Sequence, residues 1–226
     1  MAIVVIRGVR FATVKAGYPQ SQTSAVTNTT TTGIVAWLLL TGILSLTGFY
    51  RNFTAVPPRL MTAVLPVVVL MLWLLYSRKT QALIKVLPQE WIIGVQAFRI
   101  LVEVELYLLF IHNLMPQIMT FGGRNFDMLV GLTAVPVALA VAKKRLGRTG
   151  IIIWNWAGII ILGVVVANGM LSVPSVMQQI QTDPPNVAMA YVPFVWLPAY
   201  LAPLAMFLHG VSLRNLRLNR QSVATG

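Results

Sequence analysis

The 226 residues carry 17 Lys and Arg against five Asp and Glu; 57% are hydrophobic and only 10% charged. A soluble domain carries about 25% charged residues, so this balance, with a mean hydropathy of +0.78, excludes an ordinary soluble fold and predicts a polytopic membrane protein. The absence of cysteine excludes disulfides, thiolate metal sites and Cys nucleophiles. A net charge of +12 would suit nucleic acid, but the basic residues lie in short clusters between apolar runs, as membrane topology places them, and no nucleic-acid partner is expected.

Along the chain, residues 1–32 read as a polar and basic cytoplasmic leader. Its stretch 17–32 is Ser/Thr-rich, with the composition of a flexible or interfacial segment. Six apolar runs follow, at 33–50, 59–77, 88–112, 127–142, 150–171 and 189–211, each close to the ~20 residues that cross the hydrocarbon. They make residues 33–213 a transmembrane domain, with 214–226 a basic tail. The predicted fold class is therefore an all-α polytopic transmembrane bundle.

Thirteen basic residues fall on one side of these spans: Arg7, Arg10, Lys15, Arg78, Lys79, Lys85, Lys143, Lys144, Arg145, Arg148, Arg214, Arg217 and Arg220. Arg51, Arg59 and Arg124 fall on the other, and Arg99 is intramembrane. The positive-inside rule then places both termini in the cytoplasm. Trp37, Trp73, Trp91, Trp154 and Trp156 are expected at the cytoplasmic helix ends, as an interfacial belt.

The third span holds Arg99, Glu103 and Glu105, and ionisable groups at that depth are functional-site candidates. Arg99 and Glu103 are about 40° apart on one helical face, with Gln96 adjoining, and at i, i+4 they can neutralise each other. Glu105 and His112 lie on nearly the opposite face, so a helix polar on two sides is expected at the bundle centre. Glu105 has no helical partner of opposite sign; a proton-handling or ligand role is weighed against a neutral acid bonded to a neighbouring helix. Glu90, just after Pro88, reads as a helix N-terminal carboxylate.

The third loop adds Arg124, Asn125 and Asp127. Asn125 can cap the fourth span with Asp127 in its first turn. Arg124 and His112 are left to converge with Glu105 on a polar pocket open to the outside. Pro193, Pro198 and Pro203 are expected to kink the sixth span. His209 reads as an interfacial residue. No cofactor or metal is expected: the two histidines lie at opposite ends of their spans, the last span has no lysine for a Schiff base, and no metalloprotease, nucleophile-elbow or phosphate-loop motif occurs.

The run Met119–Asp127 with Gly131-Leu132-Thr133-Ala134, the run Gln96-Ala97-Phe98-Arg99 with Glu103, and Pro193–Pro198 together resemble an uncharacterised family of small bacterial multi-span proteins, over about residues 85–215. The resemblance implies a bacterial inner-membrane setting and no particular activity. The leading functional expectation is a transport-type or ligand-binding membrane protein with a polar cavity around the third helix. Arg99 would orient a small polar or anionic solute, Glu103 would hold Arg99, and Glu105 would couple protonation. The alternatives are an outer-leaflet enzyme with Glu105, His112 and Asp127 as acid–base groups, and an assembly subunit whose charged helix meets a second copy or a membrane partner.

Overall fold

The computed structural model describes residues 1–224, with side chains through residue 220. All of its regular structure is helical among the described residues. Helix α1 (Ala2–Lys15) turns back at Gly17 (φ +79°) into α2 (Gln20–Leu46). Then come α3 (Met61–Tyr76), α4 (Arg78–Val86), α5 (Gln89–Gly94), a 3-10 turn over Val95–Phe98, and α6 (Arg99–Ile111). Helices α7 (Asp127–Ala142) and α8 (Arg148–Ser172), a π-helical turn over Leu197–Leu201 and α9 (Ala202–Ala224) complete the order. Helix α9 is the hub, packing on α3, α4, α5 and α8, while α7 packs along the whole third segment from α5 to α6.

Two helices, α2 and α8, are long and apolar enough to cross a membrane, and α3 with α4 forms a third candidate bent by 76°. The bend falls at Ser77, whose hydroxyl accepts from the Lys79 N–H and so starts α4 in a new direction. Polarity is distributed inside out. Leu39, Leu40 and Ile43 of α2, Val69 and Leu72 of α3, Leu132 and Leu139 of α7, and Ile153 and Ile160 of α8 are exposed. Gln96, Arg99, Glu103, Asn155, Asn168, His209 and Asn215 are buried. In water this would forfeit apolar burial and strand polar groups at once; in hydrocarbon it is the arrangement that satisfies both.

The amino-terminal region, expected to be a flexible or interfacial leader, is helical. Residues 2–15 and 20–32 are helical, and the Ser/Thr-rich stretch is the first half of α2. Its hydroxyls turn onto their own helix: Thr27, Thr30 and Thr31 donate to the carbonyls of Thr23, Val26 and Thr27 at 2.7–2.9 Å. This back-bonding removes the donors that would otherwise demand water. Helix α1 lies along α2 and α4. The rings of Phe11 and Trp91 meet at a tilt with centroids 4.6 Å apart, and the partly buried Met1 packs against the cluster of Phe98, Leu162 and Ala205.

Two further expectations change. Trp37 is in the middle of α2, not at a helix end, and its indole N–H donates to the Ala199 carbonyl at 3.0 Å. The last apolar run is not one regular kinked α-helix: Pro193 lies in a turn, Pro198 in the π-helical turn, and Pro203 in the first turn of α9, which follows that turn without a break; the Ala199 carbonyl, four residues before Pro203, accepts from Trp37 instead.

Candidate functional site

The polar core begins where the third segment loses α-helical regularity. The 3-10 turn Val95–Phe98 rotates Gln96 inward, and its Nε2 donates to the Ala205 carbonyl of α9 at 3.3 Å. One turn on, Arg99 enters the interior with 2% of its surface exposed. Gly131 of α7 makes this possible, since a Cβ there would stand 3.0 Å from the Ile100 nitrogen and 3.3 Å from the Arg99 Cβ.

The expected Arg99–Glu103 pair does not form. Arg99 Nη1 donates to Asp127 Oδ1 at 2.9 Å, across to the first turn of α7. Glu103 is held by other donors: the Phe121 N–H on Oε1 at 2.5 Å and Asn125 Nδ2 on Oε2 at 2.9 Å. Asn125 also donates to the Met119 carbonyl, and its Oδ1 accepts from the Asp127 N–H at 3.0 Å, which ties the start of α7 to the outer loop. The physical reason is reach: Phe121 and Asn125 fold back over α6 and satisfy Glu103, while α7 brings a second carboxylate to Arg99. Asn125 lies one position before the N-cap, Phe126, and bonds the Asp127 N–H from there, while Asp127 is both a first-turn acid and the arginine's counter-ion. Arg99 Nε and Nη2, one edge of the guanidinium fork, are buried without a hydrogen-bond partner, as is Gln96 Oε1.

On the other side of Gln96 lies a group that sequence reading missed. His209 is fully buried (0% exposed), not interfacial. Its Nδ1 is 2.9 Å from Asn155 Oδ1, and Asn155 Nδ2 donates to the Ile151 carbonyl and to Ser212 Oγ, both at 2.8 Å. A carbonyl can only accept, so the Asn155 amide has one orientation, and His209 Nδ1 must carry the proton. That leaves Nε2 as a buried lone pair without a partner, within the field of Arg99. Gly158 provides the room, because a Cβ there would collide with the imidazole ring. Gln89 Nε2 donates to Ser212 Oγ, and Asn215 Nδ2 to the Ile84 and Leu87 carbonyls. The readable signal was Asn155, an amide between two tryptophans in an otherwise apolar run, with Gly158 one turn later.

These groups form a polar track in two hydrogen-bonded halves, Gln89–Ser212–Asn155–His209 and Arg99–Asp127–Asn125–Glu103, with Gln96 placed between them along the chain of the third segment. It extends from Gln89 to Glu103, roughly 20 Å at helical rise. The remaining sequence candidates stand elsewhere. Glu105 is half-buried in an open groove of about 330 Å³ whose walls include Leu101, Val104, Leu108 and Phe194, with His112 at its rim. Leu101, Val104, Tyr107, Leu108 and Ile111 leave one face of α6 exposed, so the third segment is not enclosed as expected. Arg124 is exposed and outside that groove. Glu105 and His112 are thus brought together, but with neither Arg124 nor Asp127, and the groove is apolar where a polar pocket was expected. No group of three metal-ligating acids or histidines occurs among the described residues.

Fold and site together define an all-helical protein with an apolar exterior, a charged interior and helices of membrane-crossing length. Residues 56–217 match the family model described as a domain of unknown function, DUF8737, and the chain belongs to that family. The match takes in every member of the polar track. No curated protein and no solved structure matches.

Proposed function

We propose that this is a bacterial inner-membrane protein of transport type, crossing six times with both termini in the cytoplasm, in which Arg99 receives a small polar or anionic solute. The six crossings would be α2, α3, α5 with α6, α7, α8, and the segment from Leu197 through α9. The thirteen-to-three division of basic residues supports the orientation. The observation that carries the transport reading is the buried polar track from Gln89 to Glu103, hydrogen-bonded from Gln89 to His209 and again from Arg99 to Glu103, with a free Nε–Nη2 edge of Arg99 between the two halves. That edge is the one that meets carboxylate, phosphate and nitrate oxygens in pairs. A structural ion pair alone would have no use for the amides and imidazole that continue the track past Arg99.

Liposomes containing the purified full chain and loaded with radiolabelled gluconate or nitrate test this reading. Efflux above protein-free liposomes is expected, with a loss of tenfold or more in Arg99→Gln and a comparable loss in Arg99→Lys, which keeps the charge but not the fork. Efflux equal in wild type and Arg99→Gln removes Arg99 from the path.

The groove at Glu105 favours a second reading, an assembly subunit. A half-buried carboxyl on an apolar perimeter suits a partner helix that brings a basic or hydrogen-bonding residue. Glu105→Leu would then shift the complex in native electrophoresis of mild detergent extracts and leave liposome efflux unchanged.

A further inference from the structure

Arg99, Glu103 and Asp127 share one interior, and their exposures are 2%, 5% and 9%. Two carboxylates and one guanidinium carry a formal charge of −1 when all are ionised, and Asp127 acts on Glu103 as a like charge. A monoanion on the Nε–Nη2 edge would raise that to −2 in a site walled by apolar helices. An uncompensated buried ion costs several kcal/mol even after relaxation, so an anion cannot load there unless a positive charge comes with it.

We infer that oxyanion binding at Arg99 takes up one proton, and that Asp127 carries it. This rests on the anion site proposed above and names its coupling ion. Glu103 is the poorer proton acceptor, because both its oxygens already receive N–H donors, from Phe121 and Asn125, and protonation would weaken these charge-assisted bonds. Asp127 receives Arg99 at Oδ1 only, and its side chain keeps 12% exposure, which gives its second oxygen a way to take a proton. Neutralising Asp127 also ends the ion pair that holds Arg99, so the guanidinium turns its charge to the anion. The proton comes from bulk water and returns there when the anion leaves; only one O–H bond forms and breaks.

The surrounding elements add little to this balance. On α6 the charged neighbours are Arg99 and Glu103. The outer loop contributes the neutral donors Phe121 and Asn125 and one cation, Arg124, which is exposed. Helix α8 has no charged residue between Thr149 and Ser172. From α9 the titratable group is His209, which lies within the field of Arg99. The 3-10 turn contributes the neutral Gln96, and Glu90 of α5 stands at the far end of its helix from Asp127.

The purified full chain in weakly buffered detergent, titrated with sodium nitrate, reads this directly through a pH indicator, with binding followed by tryptophan fluorescence. Nitrate is a non-buffering oxyanion, so any proton uptake belongs to the protein. The expected result is about one proton per nitrate bound in wild type and in Glu103→Gln. Asp127→Asn, which mimics the protonated acid, should bind nitrate with no proton uptake and with affinity independent of pH. Binding without uptake in wild type, or full uptake in Asp127→Asn, overturns the coupling and leaves the anion site standing. If nitrate gives no signal in wild type, or binds Arg99→Gln equally well, the anion site itself falls and the coupling with it.

Discussion

His209 and Gly158 show how a single missing methyl sets the interior. The imidazole occupies the space over Gly158, its Nδ1–H satisfied by Asn155 and its ring 5.3 Å from that of Trp154. Gly158→Ala forces the ring out of this place, an overpacking that costs about 1–3 kcal/mol. The loss should show in denaturation of the detergent-solubilised protein. Combining Gly158→Ala with His209→Ala should recover part of it, and a double variant less stable by the sum of the single losses would mean that the two do not contact. The same scale explains the misjudged arginine pair. Spacing of i, i+4 makes Arg99 and Glu103 neighbours on a helix, but a neighbour is only a candidate, and donors from the loop and an acid from α7 compete for each.

At the scale of elements, hydroxyl groups divide into those bonded within a helix and those bonded between helices. Thr27, Thr30 and Thr31 donate only to α2's own carbonyls. Ser45, also in α2, donates to the Ala190 carbonyl at 2.8 Å and is buried. Replacing the three threonines with alanine should leave stability within about 0.5 kcal/mol per site. Ser45→Ala should cost about 1–3 kcal/mol, because it leaves the Ala190 carbonyl without its donor. Unfolding of the two variants side by side separates the cases, and equal losses would mean that the threonines also have tertiary partners. The division matters for the third segment too. Its 3-10 turn aims Gln96 and Arg99 inward together, so that α7 and α9 meet the same polar stretch from two sides.

At the scale of the molecule, reporter fusions after Lys79 and Lys144 should give cytoplasmic signals and a fusion near Gly122 an external one. An external signal after Lys144 would refute the six-span topology. Membrane character was legible in the sequence because it is a sum over residues: few charges, long apolar runs and basic clusters between them, none of which depends on which helix touches which. The bounds of α7, Asp127–Ala142, match the predicted span because Asn125, Asp127 and the basic run after Ala142 are local signals. Local signals left the Ser/Thr-rich stretch as a flexible or interfacial segment and did not show its helix, because back-bonding to the helix is invisible until the helix exists. They failed also for His209, unremarkable alone on its own helix, whose partner Asn155 carried the readable local signal on α8. The sequence by itself determined that Arg99 and Glu103 would be buried charges in need of partners, and it read Asp127 as a first-turn acid. Only the tertiary structure decided which partner each received, because pairing across helices depends on the register of α6 against α7 and α8 against α9, and that register is set by packing at Gly131 and Gly158.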